Sequence, residues 1–288
     1  MIMMKIFKRV FVIFLVVSAL FLVNGITYAD AYEDINIYTM LIDQNPNEYG
    51  AYNNRGNAYC NLGQYWLSIQ DYDKAIQINP NYAEAYNNRG TAYDKLGQYE
   101  SAIQDYSKAI QLNPNLSEPY YNLGLIYMDR LGQFDKAIQC FNKSIQLNPN
   151  DYAMYNRRGG CYIKSLGQIE LAIKDFNKSI ELNPNFAEAY NNRGTAYIVI
   201  NKYDISIQDF DRAIQLNPSY SNAYYNRGLA YGLTGNFNQA IKDTTKAIQL
   251  NPNYAKAYLT RGVYYKEIGN ITSAQADFAR ARALGYKG

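Results

Sequence analysis

The chain of 288 residues contains no histidine. Its absence removes histidine-based triads, imidazole acid–base chemistry and histidine metal ligands. The three cysteines, Cys60, Cys140 and Cys161, are too scattered in the sequence to form a zinc site. Neither the GxxxxGKS/T phosphate loop nor a GxGxxG motif occurs. We therefore expect no enzymatic activity, no cofactor and no bound metal.

The chain also has no net charge beyond its first 29 residues. The formal net charge is +3, and Lys5, Lys8 and Arg9 supply it within the first 29 residues, which contain no acid. Setting these three aside leaves 25 of the 28 basic residues against 25 acidic ones. A balanced chain favours neither nucleic acid nor an anionic membrane surface as a partner.

Asn-Pro steps recur through the chain at a nearly constant spacing. The prolines of these steps, from Pro46 to Pro252, lie 34 or 35 residues apart, and the intervening sequence repeats with them. A period of this length indicates a solenoid of stacked units. The sequence predicts a half repeat at 30–48 and seven repeats, numbered 1 to 7, at 49–82, 83–116, 117–151, 152–186, 187–220, 221–254 and 255–288.

Repeat 2 shows the pattern that the others share. An early aromatic is followed by Gly and Tyr, then by Ala and an aromatic, and a proline closes the unit; these are Tyr86, Gly90, Tyr93, Ala102, Tyr106 and Pro114. This pattern resembles the tetratricopeptide repeat (TPR) family. The resemblance implies an all-α, right-handed superhelical solenoid of helix-turn-helix repeats, which serves as a non-catalytic platform for protein or peptide partners.

The residues predict the same helical hairpins without the family. Apolar and aromatic positions of repeat 2 recur at helical spacing in two segments. Gly97 separates these segments, and a residue that tolerates the left-handed conformation stands at the same turn elsewhere. These residues are Gly63, Gly132, Gly167, Asn201, Gly235 and Gly269. Repeats 3 and 4 each carry one extra residue before the turn.

Tyrosine is abundant, with 31 residues. Many of them fall in two columns, where a column is the set of equivalent positions in successive repeats. We expect both to pack between helices rather than to stack on bases. The columns are Tyr52, Tyr86, Tyr120, Tyr155, Tyr190, Tyr224 and Tyr258, and Tyr59, Tyr93, Tyr127, Tyr162, Tyr197, Tyr231 and Tyr265. Cys161 occupies a column that is elsewhere mostly alanine, so we expect it to be a small buried residue rather than half of a disulfide.

Six repeats carry an Arg in the first helix and an Asp in the second. Repeat 3 has lost both, with Leu123 and Cys140 in their places. This joint loss predicts that each Arg bridges to the Asp of its own hairpin. The predicted structural pairs are Arg55 with Asp71, Arg89 with Asp105, Arg158 with Asp175, Arg193 with Asp209, Arg227 with Asp243 and Arg261 with Asp277. A row of arginines that binds acidic ligands is the functional alternative.

Asparagine fills the two positions before the Arg column in most repeats. The TPR resemblance implies that this face lines the concave groove, where amides can donate to and accept from a peptide backbone. It is similar to the asparagine ladder in the TPR region of O-linked N-acetylglucosamine transferases. The predicted groove residues are Asn53, Asn54, Asn87, Asn88, Asn122, Asn156, Arg157, Asn191, Asn192 and Asn226. Solvated helix-face residues without a ligand are an equally open alternative.

The N-terminal 29 residues read as a secretory signal peptide. Basic residues precede an apolar run from Val10 to Val23, and small residues precede Asp30. We expect export to the periplasm or the exterior; an uncleaved anchor is the alternative, and it is the one way in which the membrane would be involved. The segment from Asp30 to Gln44 aligns with a second helix and is expected to cover repeat 1.

At the other end of the chain, two second-helix isoleucine columns become Gln275 and Arg282. A polar outer face is typical of a terminal repeat, so we expect the array to end at Gly288. The sequence thus favours an exported, non-catalytic interaction scaffold. A regulatory or substrate-recruiting subunit of an enzyme or envelope assembly machine, and a purely structural spacer, stay open as alternatives. The sequence does not predict an oligomeric state.

The signal peptide generates the first testable prediction. If the segment is cleaved after Ala29, intact-mass and N-terminal peptide analysis of the exported protein will find Asp30 as the first residue. Recovery of Met1 or a residue near it from the membrane fraction would indicate an uncleaved anchor instead.

Overall fold

The computed structural model describes residues 28–286, which form 15 α-helices and no β-strand. Nearly all of the predicted signal peptide lies outside these residues. The helices are α1 (Tyr28–Gln44), α2 (Tyr49–Asn61), α3 (Tyr65–Ile78), α4 (Ala83–Lys95), α5 (Tyr99–Leu112), α6 (Ser117–Leu125), α7 (Phe134–Leu147), α8 (Tyr152–Leu166), α9 (Ile169–Leu182), α10 (Ala187–Val199), α11 (Tyr203–Leu216), α12 (Ser221–Leu233), α13 (Phe237–Leu250), α14 (Ala255–Glu267) and α15 (Ile271–Ala283).

The described residues divide into two compact units, the first ending at Ile126 and the second beginning at Tyr127, so the boundary falls inside repeat 3. In the first unit α2 packs against α3 and α4 against α5, while α3 also packs against α4 of the next hairpin. In the second unit the hairpins α8–α9, α10–α11, α12–α13 and α14–α15 stack in the same way. The predicted all-α solenoid of helical hairpins is confirmed.

The turns between paired helices have the predicted left-handed residues. Gly97 has a φ of 74°, and the other predicted glycines also have positive φ. Asn201, with φ of 59°, is the one non-glycine residue with positive φ in the part of the chain that the structure describes. Asparagine visits this region more readily than other side chains do. The Gly-to-Asn exchange in repeat 5 therefore keeps the turn.

The second helices end at the Asn of each Asn-Pro step. Asn113 has an extended backbone, with φ of −137° and ψ of 91°, as expected for a residue before proline. Its side-chain oxygen accepts a hydrogen bond of 3.1 Å from the backbone N–H of Asn115. This local turn replaces the helical hydrogen bond that Pro114 cannot donate.

The extra residues of repeats 3 and 4 are accommodated differently. In repeat 3 the first helix ends at Leu125, and a π-helical turn follows from Ile126 to Arg130. In repeat 4, α8 extends to 15 residues, from Tyr152 to Leu166. A π-helical turn takes in one more residue without rotating the rest of the helix, so the turn at Gly132 keeps its left-handed conformation.

In five hairpins a glycine of the first helix lies under an aromatic ring of the second helix, whereas in repeat 6 Gly228 lies against Thr244. A Cβ on Gly56 would lie 2.7 Å from the ring of Tyr72, and one on Gly194 would lie 2.8 Å from the ring of Phe210. Tyr72 and Phe210 are buried. The first helix can approach the second this closely because glycine has no side chain at the crossing point. The two predicted tyrosine columns are half-buried in both units.

This close approach gives a matched pair of substitutions. Gly194→Ala should lower the unfolding midpoint, because overpacking a buried site costs about 1–3 kcal/mol. Gly160→Ala adds a methyl group on the first helix of repeat 4, where a new Cβ has no atom within 4 Å. It should leave the midpoint unchanged or raise it, by up to about 1 kcal/mol. Denaturant unfolding followed by circular dichroism measures both, and equal effects would contradict the account.

Candidate functional site

The structure brings each predicted Arg and Asp together within one hairpin. The guanidinium Nε and Nη2 donate to the two carboxylate oxygens at 2.6–2.9 Å, so every pair is bidentate. The six aspartates are buried. Bidentate geometry in a buried site makes these pairs stronger than exposed ion pairs. Each pair therefore joins the two helices of its hairpin.

Each of these arginines also contacts the second helix that precedes its hairpin, which for Arg55 is α1 of the half repeat. The sequence did not predict this contact. Nη1 donates to a side-chain oxygen on the preceding second helix at 2.5–3.1 Å. The acceptors occupy equivalent positions in successive repeats but differ in residue type, so the sequence alone does not reveal them as a set. They are Thr39, Asp73, Asn142, Asn177, Asp211 and Thr245. One guanidinium thus links three helices.

The early tyrosine column completes the environment of the arginines. The guanidinium carbon of Arg193 lies 5.6 Å from the ring centre of Tyr190, and that of Arg89 lies 5.4 Å from the ring centre of Tyr86. Contacts of this kind contribute about 0.5–1 kcal/mol at exposed sites and more when desolvated. The arginines are therefore engaged inside the stack, and the structure gives no support to a row that binds acidic ligands.

Repeat 3 lacks this arrangement. Ser107 stands in the acceptor column on the preceding second helix, and its hydroxyl donates to the Ile103 carbonyl of its own helix at 2.7 Å. Leu123 is buried, and Cys140 is a free, half-buried thiol. Neither residue carries a charge, so repeat 3 has no ion pair of this kind.

The asparagines of the first unit bond to one another across hairpins. Asn88 donates to Asn53 at 3.0 Å, and Asn122 donates to Asn87 at 3.2 Å. Within a repeat, Asn87 donates to Asn88 at 3.2 Å. Together with Asn53, which donates to Asn54 at 3.3 Å, these amides form one hydrogen-bonded chain. Part of their bonding capacity is therefore used in holding repeats together.

The second unit continues the pattern with one change. Asn192 donates to Asn156 at 3.0 Å, and Asn226 donates to Asn191 at 2.9 Å. Arg157 occupies the position that is Asn in the neighbouring repeats. The buried Asn156 donates to Glu188 at 3.0 Å, and Glu188 lies 3.6 Å from the Arg157 guanidinium. The two charged side chains are partly exposed.

A pocket of about 260 Å³ opens beside this charged pair. Its lining combines the apolar side chains of Met128, Ile163 and Phe176 with the polar or charged side chains of Asp129, Asn156, Arg157, Lys164, Glu188, Asn192 and Thr195. We call it the Arg157 pocket. Pockets for drug-sized ligands usually enclose about 300–1,000 Å³, so this one suits a single side chain of a partner.

Gly160 explains why the pocket lies in repeat 4. The equivalent positions hold side chains in the other repeats, namely Asn57, Thr91, Leu125, Thr195, Leu229 and Val263. In the first two, the side chain serves the second-helix aromatic: the Tyr72 hydroxyl donates to Asn57 at 2.8 Å and that of Tyr106 bonds to Thr91 at 3.2 Å. The second-helix aromatic of repeat 4 is Phe176, which has no hydroxyl group and therefore needs no hydrogen-bond acceptor. The glycine in this column was the sequence signal for the pocket.

The cysteines do not form a reactive or metal-binding site in the described residues. All three are free thiols, and Cys161 is buried as expected. Burial raises the pKa of Cys161 to about 12 and that of Cys140 to about 11, so both are protonated near neutral pH. Within residues 28–286 no group of three potential ligands is arranged to hold a metal ion.

Across the same residues, none of the helices combines the length and the apolar character that crossing a membrane requires.

Comparison with family models identifies the repeats. A tetratricopeptide repeat model matches residues 83–116, 117–151, 187–220 and 221–254. Two further models of TPR repeats match residues 56–97 and 163–198, and residues 37–70 and 244–276. The chain therefore belongs to the tetratricopeptide repeat family. A comparison with curated proteins found no match.

Solved structures with the same fold include three informative neighbours. A crystal structure of MamA is 31% identical, covers 56% of this chain and 94% of its own, and has a TM-score of 0.50. YrrB, described as a TPR protein with an unusual peptide-binding site, is 25% identical over 65% of this chain and 95% of its own, with a TM-score of 0.55. A tetratricopeptide repeat protein from Parabacteroides merdae is 23% identical over 83% of this chain and 94% of its own, with a TM-score of 0.66, and shows the fold alone.

The buried ion pairs give a pH-dependent prediction. Burial raises the pKa of Asp209, and its bond with Arg193 opposes that rise. Arg193→Ala should destabilise the protein by about 3 kcal/mol near neutral pH, because removing one partner leaves a buried charge unpaired. The pKa of Asp209 then rises further above its unfolded value. The folded variant gains a proton as the pH falls, so its deficit against the wild type should shrink from pH 7 towards pH 5.

Unfolding midpoints of Arg193→Ala at several pH values measure this effect. The double variant Arg193→Ala with Asp209→Asn serves as the control, because it has no carboxylate to titrate at this position. A deficit that is constant with pH, or the same trend in the control, would contradict the prediction.

Proposed function

We propose that this protein is a non-catalytic scaffold that binds a peptide segment or partner protein on its first-helix face, with the Arg157 pocket receiving one partner side chain. The observation that carries the proposal is the pocket itself. It lies on the face of the predicted groove asparagines, at the point where their column changes to Arg157. Its three apolar side chains would contact the apolar part of a partner side chain, and its amide and charged groups would orient the polar part.

The hydrogen bonds around the pocket support a preorganised site. Asn156 holds Glu188 through its amide N–H and accepts from Asn192 through its oxygen, so both ends of this buried side chain are engaged. Glu188 and Arg157 then present an acceptor and a donor beside the opening. Groups that are held in place before binding lose less conformational entropy when the partner arrives.

The neighbouring structures support the same class of function. YrrB is described as having a peptide-binding site, and the TPR repeats of this chain span most of the residues that the structure describes. The amides that remain accessible on the first-helix face would contact a partner backbone next to the pocket. Their hydrogen bonds to one another support a surface that is formed before a partner binds.

The proposal includes export. The basic residues and apolar run before Asp30 support translocation of the repeats, by a cleaved signal or by an anchor. The scaffold would then act in the periplasm or outside the cell.

Filling the pocket tests the proposal. Gly160→Leu places in repeat 4 the side chain that repeats 3 and 6 carry as Leu125 and Leu229, at a helical position with room for the new Cβ. We expect normal folding and at least a tenfold loss of partner binding. Partners are captured by cross-linking in the compartment where the protein occurs, identified by mass spectrometry, and their affinities are measured as purified peptides.

Val263→Leu is the matched control, because it adds bulk in the same column of repeat 7, away from the pocket. Partners that survive in this control and are lost from Gly160→Leu support the pocket. If both variants keep every partner at wild-type affinity, the pocket does not bind and the proposal is wrong.

A further inference from the structure

The helix α1 exposes the face that second helices elsewhere bury against the first helix of their own hairpin. In α3 this face consists of Ser68, Asp71, Tyr72 and Ala75, which are 0%, 5%, 1% and 0% exposed. The equivalent residues of α1, which lie 34 positions earlier, are Asp34, Ile37, Tyr38 and Leu41. Ile37 is 45% exposed and Leu41 is 42% exposed, and Asp34 and Tyr38 are half-buried. No helix precedes α1 within the described residues.

The side chains on this face of α1 are more apolar than the residues at the equivalent positions of the other second helices. Ile37 stands in the column of the paired aspartates, and Leu41 stands in a column of alanine and serine. Met40, one position away, replaces a column of lysine and arginine and is 61% exposed. These three side chains are neighbours at helical spacing. A contiguous apolar patch beyond the needs of the fold marks an interaction surface.

The charge of α1 restricts what can cover this patch. The helix carries Asp30, Glu33, Asp34 and Asp43, and no Lys or Arg. A second α1 would bring like charges together, and an anionic lipid surface would be repelled in the same way. A partner with positive charge near the acidic N-terminal end of α1 fits both the patch and its rim.

The complete hairpins show how such a partner would fit. The first helix runs antiparallel to the second and places a glycine against Tyr72, where a Cβ would lie 2.7 Å from the ring. Arg55, the residue before this glycine, faces Asp71. In α1 the corresponding residues are Tyr38 and Ile37, so a covering helix needs a small residue against the ring and an apolar residue instead of the arginine.

We propose that α1 is a docking site for an amphipathic helix of another protein, which takes the place of a first helix and completes a hairpin in trans. The docking helix carries an apolar residue followed by Gly or Ala opposite Ile37 and Tyr38. Its last turn carries Lys or Arg, because the C-terminal end of an antiparallel helix lies beside Asp34. This surface lies in the first unit and its argument is independent of the Arg157 pocket.

A synthetic peptide is the direct probe. Residues 117–129 of this chain comprise α6 and most of the π-helical turn that follows it. In α6, Leu123 precedes Gly124, which is the required pair. The labelled peptide carries this sequence with Asp129→Lys and two further lysines at its end. We expect saturable binding to the purified full chain and to the chain that starts at Asp30, measured by fluorescence anisotropy. Ile37→Asp should weaken binding at least tenfold.

Matched controls distinguish binding in the proposed antiparallel arrangement from non-specific hydrophobic binding. Peptides with glutamates in place of the added lysines, or with Gly124→Leu, should each bind at least tenfold more weakly. Leu171→Lys alters a 44% exposed residue in a column that already contains Lys136, and it should leave binding unchanged. Absence of saturable binding, or equal binding of all three peptides, overturns the proposal.

Two other occupants would also overturn it. If the protein is a dimer in sedimentation and Ile37→Asp dissociates it, the face is covered by a second copy. If the exported protein retains residues 1–29 and only the chain that starts at Asp30 binds the peptide, the face is covered by the preceding residues of the same chain.

Discussion

The guanidinium group of one arginine in each of six repeats makes the contacts on which the packing of these repeats depends. In six repeats it bonds through two nitrogens to a buried aspartate of its own hairpin. The third nitrogen bonds to the second helix that precedes the hairpin, which for Arg55 is α1. Because the aspartates are buried, each of these charges requires its partner. The arginine therefore sets how the helices of a hairpin cross and how that hairpin lies on its predecessor.

The other features of the repeat are arranged around this contact. Glycine under an aromatic ring lets the paired helices approach, and the left-handed residue at the turn allows the chain to reverse. A single hairpin cannot bury its own apolar faces, so neighbours cover one another along the array. The asparagines bond between repeats as well. Two surfaces stand out among the described residues: the Arg157 pocket on the first-helix face of the second unit, and the exposed face of α1 in the first unit.

Much of this could be predicted from internal comparison of the repeats. Asn201 was expected at a left-handed turn because glycine holds that position elsewhere, and the joint loss of Arg and Asp in repeat 3 pointed to pairing within a hairpin. The contact with the preceding second helix was not predicted because its acceptor is Thr, Asp or Asn in different repeats. These residues all offer a side-chain oxygen, but they do not form a column of one residue type. The bonds among asparagines depend on amide orientation, which sequence does not encode directly. The pocket was visible only as one glycine in a variable column.

A double-mutant cycle on Arg227 tests the central claim most directly. Its partners are the buried Asp243 and the exposed Asp211 of the preceding hairpin. Single and double alanine variants, compared by denaturant unfolding, should give a coupling energy of about 2 kcal/mol or more with Asp243, as close or networked residues do, since such couplings span about 0.5–3 kcal/mol. The coupling with Asp211 should be smaller, at about 0.2–1 kcal/mol, as for an exposed pair. Additive effects for Arg227 and Asp243, with no coupling, would contradict the account.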